Sequence, residues 1–558
     1  MPNSKIHKDP FYKSGTPWIW LNAGAVTISV IMVAGLLALI AMRGLGHFWP
    51  KTVYEIEYLN NDEKVQIIGE RVESEEVLRQ RIIDSGIKIE SDDELIERSL
   101  IKVGNRESLG VDFMLTVKPN EQKVSKPKDV LVLERTQWGN FYGFLQEIKS
   151  DNKVLNLYED IKWQDLDERL DKVADLREKI EQIEKVEIGR INYQIEKLRL
   201  KQRRLEKDGI TDQEKFKLIE NARAEFNANY EQLKSKLNAL YKEISRDSIT
   251  ATIMGGKQVE VRLSDIVKAY RPNDMNLLEK MIFYARTFWG FITDDPREAN
   301  TEGGIFPAIF GTVLTVMLMS VVVMPFGVIA AIYLSEYAKQ GFITRLVRIS
   351  VNNLAGVPSI VYGVFGLGFF VYIIGGTIDE LFYSEALPSP TFGSGGLLWA
   401  SLTLALLTVP VVIVATEEGL SRIPRALREG SLALGATKAE TLWRTILPMT
   451  SPAIMTGLIL SIARAAGEVA PLMLVGVVKL APSLPLDGNA PYIHLERKFM
   501  HLGFHIYDVG FQSPNVEAAR PLVYATALIL VLVIVILNLA AIYTRNHLRE
   551  KYKDLEQN

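Results

Sequence analysis

The sequence predicts an all-α polytopic membrane protein of six transmembrane helices, with an inserted α/β domain that lies outside the cytoplasm and carries a coiled-coil hairpin. Long runs without an ionisable side chain recur along the 558 residues, and about 20 such residues suffice to span a bilayer. The charged residues, 23% of the chain, are concentrated chiefly between positions 43 and 302. These observations exclude a soluble enzyme and leave room for one or two soluble domains in the insertion.

Six uncharged runs predict the membrane spans. They cover residues 18–42, 303–335, 349–378, 386–416, 445–463 and 521–544. The first run is interpreted as an anchor because it is longer than a typical signal-peptide core and no Ala-x-Ala cleavage pattern follows it. The stretch 445–478 contains Arg464 and Glu468 and fits either one long span or two short ones. We expect one crossing followed by a bent or re-entrant exit, because two crossings would put the basic tail outside.

The distribution of lysine and arginine predicts the orientation of the spans. Three lysines and one acidic residue precede the first span, and basic residues near membrane ends mark the cytoplasmic side. The loop 417–444 and the tail 545–558 are also basic. Residues 1–17 and 545–558 are therefore expected in the cytoplasm, and residues 43–302 on the opposite, extracytoplasmic side of the membrane.

The insertion is expected to contain a helical hairpin. Apolar residues recur at helical spacings from Leu166 to Leu205 and from Phe226 to Ile244, which predicts an antiparallel coiled coil over about 165–246. Thr211 and Glu214 fit a capping box that would begin the second helix. The first arm would be about 60 Å long. Arg177, Glu184 and Glu187 occupy seam positions, so a looser helical bundle is an alternative to the coiled coil. The pattern is equally compatible with a docking arm for a partner and with a plain spacer.

Flanking segments of the hairpin are expected to be strands. They are Val130–Leu133, Phe141–Leu145, Ile249–Met254 and Gln258–Leu263. Gly255-Gly256 lies between the last two, which is a hairpin-turn signal. A small α/β platform that carries the helical hairpin is therefore the predicted architecture of the insertion.

Signals for catalysis, metal and nucleic acid are weak. A net charge of −3 provides no basic field for nucleic acid, and the lack of cysteine removes thiolate chemistry. No nucleotide-binding Gly-x-x-x-x-Gly-Lys-Ser/Thr loop is found. His501 and His505 have the spacing of two metal ligands on one helix face, but no glutamate completes a zinc-protease motif, so the pair is read as incidental. Gly363, Gly366 and Gly368 are expected to permit close helix packing.

Arg464 and Glu468 stand out because each lies in an otherwise apolar stretch. A charge there costs about 2.5 to 3.5 kcal/mol, and the i, i+4 spacing allows the two to pair. The functional interpretation is a polar step on a substrate route, with Arg464 attracting an anion and Glu468 holding the arginine when the route is empty. The alternative is a buried structural ion pair.

The loop 417–448 predicts a compact helical knob. It reads EEGLSRIPRALREGSLALGATKAETLWRTILP. Pro424 can begin a helix, Gly435 ends it, and residues 439–446 resume it. Such a knob suits a cleft on another protein, whereas a merely basic connecting loop would not need this order.

The same loop resembles a known family. Glu429, Gly435, Leu447 and Pro448 have the spacing of the EAA coupling loop of ABC importer permeases, although Gly430 and Ser431 replace two alanines and Thr445 replaces an isoleucine. The surrounding phrases resemble the PstA family of phosphate importer permeases. These phrases are AAIYLSEYA at 330–338, NNLAGVPSIVYGVFGLGFFV at 352–371, LTVPVVIVATEEGL at 407–420, ARAAGEVAPLMLVG at 463–476 and NLAAIYTRNH near the C-terminus.

The resemblance implies a type I ABC importer permease fold for residues 303–544, with contact to membrane lipid. It places the chain in a bacterial inner membrane, with the insertion on the periplasmic side. It also implies a sister permease, PstC, an ATPase, PstB, that carries ATP and Mg on the cytoplasmic side, and a phosphate-binding protein, PstS, outside. The coupling loop would sit in the ATPase, and Arg464 and Glu468 would match the charged pair linked with passage of inorganic phosphate.

The chain itself is then a transporter subunit with no catalytic residue, metal or cofactor of its own. A permease for another oxyanion or solute is one alternative. An ATPase-coupled envelope signal transmitter that acts through the coiled coil is another. The resemblance does not cover residues 43–302, so the partner and role of the insertion stay open.

Overall fold

The computed structural model describes residues 16–60, 63–89, 91–151, 153–155, 159–513 and 516–557. Six helices in these residues are long and apolar enough to cross a membrane. They are Pro17–Gly46, Phe306–Tyr337, Ser359–Phe382, Leu397–Arg422, Lys438–Ala466 and Ala519–His547. The prediction of six membrane-spanning helices is confirmed.

A first antiparallel sheet follows helix α1 (Thr16–Gly46). Its strands are β1 (Val53–Asn60), β2 (Glu63–Leu78), β3 (Leu95–Lys102), β4 (Phe113–Val117) and β5 (Glu121–Ser125), in the order β4-β3-β2-β1-β5. Two short helices, α2 (Arg79–Asp84) and α3 (Arg106–Leu109), belong to the same region. Ile56, Ile67 and Ile101 are fully buried on one face. The sequence analysis did not predict this sheet, because its strands are rich in glutamate and β2 contains a register shift at 71–73.

A second antiparallel sheet lies next in the chain. Its strands are β6 (Val130–Arg135), β7 (Phe141–Ser150), β8 (Lys153–Val154), β9 (Asp247–Thr252), β10 (Gln258–Arg262) and β11 (Ile266–Tyr270), in the order β10-β9-β7-β6-β11 with β8 on β7. All four predicted strands are present. Gly255 and Gly256 form the turn between β9 and β10 with φ of +76° and +73°, a backbone conformation that glycine adopts without strain.

Three long helices leave this sheet between β8 and β9. They are α4 (Glu159–Glu181), α5 (Gly189–Lys207) and α6 (Gln213–Ile244), and a π-helical segment, Gln182–Ile188, joins the first two. The first arm, 159–207, is therefore about 70 Å long, and α6 packs back along it. We call residues 159–244 the helical arm. At its base Leu166 and Val173 are buried against the second sheet with Phe141.

The start of α6 corrects one prediction. The N-cap is Asp212, not Thr211, and its side chain accepts a hydrogen bond from the backbone N–H of Glu214 at 3.1 Å. The predicted Thr211–Glu214 capping box is wrong because the Asp212 carboxylate lies one residue closer to the free N–H groups of the first turn and caps them itself.

The insertion is fastened to the membrane helices by α7 (Leu277–Thr293), which precedes the small hairpin β12 (Pro296–Arg297) and β13 (Glu302–Gly303). Asn276 and Glu279 form a capping box at its start. Tyr284, Phe288 and Phe291 pack around Phe48, two residues after the end of α1, at ring-centroid distances of 5.1 to 6.2 Å. The insertion therefore rests on the membrane helices through an aromatic cluster.

The remaining helices build the membrane core. They are α8 (Phe306–Ile332), α9 (Phe342–Leu354), α10 (Ser359–Phe365), α11 (Gly376–Phe382), α12 (Leu397–Arg422), α13 (Arg425–Ala433), α14 (Lys438–Thr441), α15 (Leu447–Ala466), α16 (Ala470–Val475), α17 (Leu502–Tyr507) and α18 (Val516–Gln557). Four π-helical segments, Tyr333–Tyr337, Gly366–Gly375, Leu442–Ile446 and Asp508–Gln512, extend or join them. Helix α12 is the most deeply buried span and packs against α8 and α15.

Two of the three glycines in the third span permit close packing. A Cβ on Gly363 would lie 2.7 Å from Cα of Pro471 in α16, and one on Gly366 would meet Thr403 and Val475. Gly368 has nothing within 4 Å of a Cβ, so the packing prediction is confirmed for the first two and wrong for the third.

The chain leaves α15 by a bend rather than by a second crossing. The six-residue α16 follows, and Val477 then forms a bridge with Phe499. This agrees with the expectation of one crossing and a bent exit. The segment 477–500, which we call the exit loop, lies at the same end of the spans as the insertion, since Gly311 near the start of α8 closely approaches Met500.

Candidate functional site

Arg464 and Glu468 form a loose ion pair where α15 ends. Nε of Arg464 lies 3.7 Å from Oε1 of Glu468, and the two side chains are 30% and 18% exposed. This distance is longer than a hydrogen bond. The two side chains are therefore not hydrogen-bonded to each other, and the guanidinium of Arg464 can still donate hydrogen bonds to an anion.

The helix end favours the arginine locally. Arg464 lies in the last turn of α15, and Gly467 is the C-cap. Unpaired carbonyl groups at a helix C-terminus favour a positive charge. Ala465 and Ala466 beside it are fully buried, whereas the arginine side chain is partly exposed. The geometry suits an anion-attracting group and also suits a structural ion pair.

The predicted knob is present as a helix, a glycine turn and a second short helix. Gly435 follows α13 with φ of +89°, a left-handed conformation that other residues rarely adopt. Thr437 and Glu440 then form a capping box at the start of α14. We call residues 424–446 the knob. Glu429 and Gly435 lie exposed on it, and Leu447 and Pro448 lie half-buried where α15 begins.

The knob exposes large apolar side chains. Leu434 is 91% exposed, Trp443 is 70% exposed and Leu432 is 47% exposed. Apolar side chains grouped on a small surface element are typical of a protein-binding site. The knob can therefore offer a partner apolar contacts next to the charge of Glu429.

Two basic side chains fasten the knob to the end of the second span. Arg428 lies 3.1 Å from Oε1 of Glu336 and donates a 2.7 Å hydrogen bond to the carbonyl of Leu420. Lys438 donates to the backbone carbonyl of Glu336 and lies 4.6 Å from the ring centroid of Tyr337. These contacts join the knob directly to the helical segment that contains Glu336.

A second ion pair fastens the amphipathic helix α9 to the same end of the bundle. Arg348 lies 3.3 Å from Oε1 of Glu417 in α12 and also reaches the carbonyl of Leu334 at 3.4 Å. Sequence reasoning missed Glu336 and Glu417. Both stand inside phrases used for the family resemblance, and a carboxylate at the end of an apolar run was the available signal.

The two histidines do not share a helix face. His501 precedes α17 as its N-cap, with an extended backbone and Nδ1 accepting from the N–H of Gly503 at 3.1 Å. His505 lies within α17, 3.4 Å from Oγ1 of Thr526. Burial lowers the pKa of each to about 4. For His505, the charge of Asp508 raises the pKa slightly and that of Lys479 lowers it further. Across the described ranges, no cluster of three His, Cys, Asp or Glu side chains is placed to hold a metal ion.

The sequence matches a known transport family. Residues 323–550 match the family described as "Binding-protein-dependent transport system inner membrane component". This range contains the knob, Arg464 and Glu468. The insertion lies before it.

Individual relatives agree with the family match. The chain is 35% identical over 270 residues to "Phosphate transport system permease protein PstA 1" of Mycobacterium tuberculosis, which covers 47% of this chain and 78% of the relative. It is 30% identical over 237 residues to "Probable phosphate transport system permease protein PstA" of Methanocaldococcus jannaschii, covering 42% of this chain and 73% of the relative. "Phosphate transport system permease protein PstC" of Xylella fastidiosa is 31% identical over 222 residues, covering 38% and 66%.

Among solved structures, the inward-facing MetNI methionine ABC transporter is similar, with 18% identity, a TM-score of 0.32 and coverage of 47% of this chain and 98% of that chain. The assignment rests on the sequence relatives, on the family match and on the six spanning helices. The chain therefore belongs to the family of binding-protein-dependent transport system inner membrane components, as a PstA-type permease subunit of an ABC importer.

Proposed function

We propose that this subunit serves an ATP-driven importer of inorganic phosphate and forms half of its translocation pathway. The names of the relatives from Mycobacterium tuberculosis and Methanocaldococcus jannaschii support phosphate as the substrate. The observation that carries the proposal is the pair Arg464 and Glu468, which lies inside the family match and presents a cation that is not hydrogen-bonded to its carboxylate.

The proposed role of Arg464 is to attract phosphate as it crosses. A guanidinium binds phosphate oxygens through charge-assisted hydrogen bonds. Because Arg464 and Glu468 are 3.7 Å apart, an arriving anion would bind Arg464 without first breaking a hydrogen bond. Glu468 would hold the arginine when the pathway is empty. A single arginine does not distinguish phosphate from sulfate, so selectivity would come mostly from the binding protein.

The proposed role of the knob is to receive movement from an ATPase. Glu429 and Gly435, together with Leu447 and Pro448, would form the coupling surface, and Leu434 would enter a cleft on PstB. ATP and Mg would bind to PstB. When the ATPase pair closes, the knob would move, and the contacts of Arg428 and Lys438 with Glu336 would pass that movement to the second span.

The rest of the assembly follows from the same proposal. The sister permease PstC would complete the pathway, and PstS would deliver phosphate on the periplasmic side. The N-terminus, the knob and the tail would lie in the cytoplasm, and the insertion would lie in the periplasm. This arrangement is supported by the alternation of the six spans and by the basic residues of 417–444.

The helical arm would act as a periplasmic coiled-coil hairpin on an α/β platform. Ile219 and Ile244 of α6 are buried and Phe226 is half-buried, as a coiled-coil seam requires. Tyr193 of the first arm donates a 2.7 Å hydrogen bond to the carbonyl of Ala490 in the exit loop. This contact favours a docking arm that senses the permease over a plain spacer.

Transport into vesicles tests the proposal. The full set of subunits is reconstituted, and ATP-dependent uptake of radiolabelled phosphate and sulfate is compared between wild type and Arg464→Gln. Arg262→Gln, an exposed arginine on β10, is the matched control. We expect phosphate uptake to fall at least tenfold in Arg464→Gln and to be unchanged in the control. Uptake that survives Arg464→Gln would support the structural ion pair instead.

A deletion of residues 166–244 tests whether transport requires the helical arm. Phosphate uptake that persists in the deletion makes the arm an accessory of transport. Uptake of sulfate or another solute but not of phosphate would favour the alternative substrate. Wild-type vesicles that hydrolyse ATP but move no anion would refute the importer and favour an envelope signal transmitter, for which the Tyr193 contact with the exit loop supplies a mechanical connection.

A further inference from the structure

A cavity of about 200 Å³ lies where the insertion meets the membrane helices. Its walls come from the segment after α1, from both sheets, from α7 and from the first turns of α18. It contains neither Arg464 and Glu468 nor any knob residue. The cavity is therefore separate from the proposed transport and coupling sites.

Four basic and four acidic side chains line the cavity. The basic ones are Lys51, Lys102, Lys268 and Arg297, and the acidic ones are Glu70, Glu134, Asp294 and Glu302. Glu134 is shared by Lys268 at 3.7 Å and by Arg297 at 3.6 Å. Among the residues that the structure describes, Lys51 and Lys102 form no ion pair within 4.0 Å, so their charges are left for another partner.

Burial shifts the ionisation of the groups around the cavity. Burial, together with Lys51 and Lys102, lowers the pKa of His47 to about 4, which keeps that ring neutral at pH 7. Burial also lowers the pKa of Lys51, which Glu70 opposes and Lys102 reinforces. Burial raises the pKa of Glu302 to about 7 although Lys102 acts against it, so this carboxyl is partly neutral near physiological pH.

Two polar groups of the wall have no partner. Nη1 of Arg297 and Oγ1 of Thr287 are buried and form no hydrogen bond within the described part of the chain. A buried donor without a partner costs about 1 to 3 kcal/mol. Guanidinium and hydroxyl groups are donors that bind phosphate oxygens in proteins, so Arg297 and Thr287 give the cavity wall donors of suitable chemistry.

The other wall of the cavity is apolar and lies close to the end of the first span. Phe48 and Trp49 follow the end of the first span directly, and Phe283 and Leu522 complete this wall. Trp289 on the outer side of α7 is 66% exposed. Tryptophan at the end of a span is typical of the membrane interface, where phospholipid headgroups lie.

We propose that this junction cavity binds a phosphate group through Lys51, Lys102, Arg297 and Thr287. The group is either the headgroup of a membrane phospholipid or free inorganic phosphate. Bound there, it joins the first sheet, α7 and the first span, and so fixes the position of the insertion on the membrane helices.

Native mass spectrometry of the delipidated full chain tests this site. An Arg464→Gln background removes phosphate binding at the proposed transport pair. The probes are inorganic phosphate, dioleoyl phosphatidylethanolamine and dioleoylglycerol, which lacks phosphate. We expect binding of a phosphate-bearing probe, at least tenfold weaker binding in Lys51→Gln/Lys102→Gln, and no change in Lys123→Gln/Lys234→Gln, whose lysines are exposed.

Comparison of the three probes distinguishes the two sources of the phosphate group. Binding of phosphatidylethanolamine but not of inorganic phosphate identifies a lipid site, and the reverse identifies a site for the free ion. Equal binding of dioleoylglycerol, no binding of either phosphate-bearing probe, or undiminished binding in the lysine variant would overturn the proposal. If the double variant unfolds at a lower temperature without ligand, Lys51→Gln alone replaces it. None of these measurements requires the ATPase, so the outcome is independent of the proposed transport function.

Discussion

The membrane helices and the insertion satisfy their polar groups in different ways. In the spans, Thr312, Ser401 and Thr450 each donate to the carbonyl four residues earlier in their own helix. In the insertion, side chains bond between elements, as Arg169 does from α4 to Asp247 of β9 at 2.6 Å. The bilayer core offers no water to an unpaired group, so the spans satisfy hydroxyls locally, whereas the insertion can use charges to join distant segments.

The two regions also differ in how their elements approach one another. Glycine lets backbones come close in the spans, as Gly363 does beside Pro471, and close approach is the main source of helix association in lipid. The sheets of the insertion instead bury isoleucine and phenylalanine from water, which the hydrophobic effect stabilises. Steric change should therefore damage the spans most, and loss of charge should damage the insertion most.

The largest expected effect is steric. Gly366→Leu places a side chain against Thr403 and Val475, and overpacking of this kind costs about 3 kcal/mol. Gly368→Leu, two residues away with no atom within 4 Å of its Cβ, is the matched control. Heating the detergent-solubilised chain and measuring the monodisperse fraction should show loss of Gly366→Leu alone. Equal loss in both variants would contradict the packing difference.

The next effect concerns a charge in the insertion. Burial would raise the pKa of Asp247, but hydrogen bonds from Arg246, Ser150 and Arg169 lower it to about 2. Since the folded pKa lies below the unfolded value, the stabilisation is complete above about pH 5 and is lost as pH falls toward 2. Asp247→Asn should cost roughly 2 kcal/mol at pH 7.

Scanning fluorimetry of the full chain at several pH values checks whether the stabilisation by Asp247 is lost as pH falls. The difference in unfolding temperature between wild type and Asp247→Asn should be largest at pH 7 and should narrow between pH 4 and pH 2. Asp92→Asn, an exposed carboxylate, should show no such difference. A gap that stays constant down to pH 2 would mean that the Asp247 contacts do not stabilise the insertion.

A smaller loss of stability is expected at the knob, where an ion pair joins it to the end of the second span. Glu336→Gln weakens the contact with Arg428, and loss of one partly exposed ion pair costs roughly 1 kcal/mol. The knob should then exchange its amide hydrogens faster, while α15 is unchanged. Glu418→Gln, a nearby carboxylate without an ion pair in the described chain, is the control. Unchanged exchange in the knob would show that Glu336 does not hold it.

The smallest effect lies at the contact between the two regions. Tyr193→Phe removes the hydrogen bond to Ala490 but keeps the ring near His494, so the loss should be about 0.5 to 1 kcal/mol. Hydrogen exchange in the exit loop should rise about two- to fivefold. Tyr230→Phe in α6 serves as the control, and equal exchange in both variants would remove the proposed connection between arm and permease.

The sequence predicted those features that depend on neighbouring residues. The six spans followed from uncharged runs, the knob from Pro424 and Gly435, and the strands around Gly255 from their turn. The first sheet was missed because its strands are rich in glutamate, and the exact start of α6 was wrong because Asp212 competes with Thr211 for the same N–H groups. The pairing of Arg464 with Glu468 was expected from their spacing, and their role in transport stays a prediction.

Contacts between distant segments were decided only by the tertiary structure. Glu336 meets Arg428 across 92 positions of the sequence, and the amide of Asn273 bonds both the N–H and the carbonyl of Val53, 220 residues away. The junction cavity likewise combines Lys51, Arg297 and Leu522. Uncharged length and helical period are local properties that the sequence determines by itself, whereas the partner of a charge or the shape of a cavity depends on how separate segments pack, and no local pattern records that.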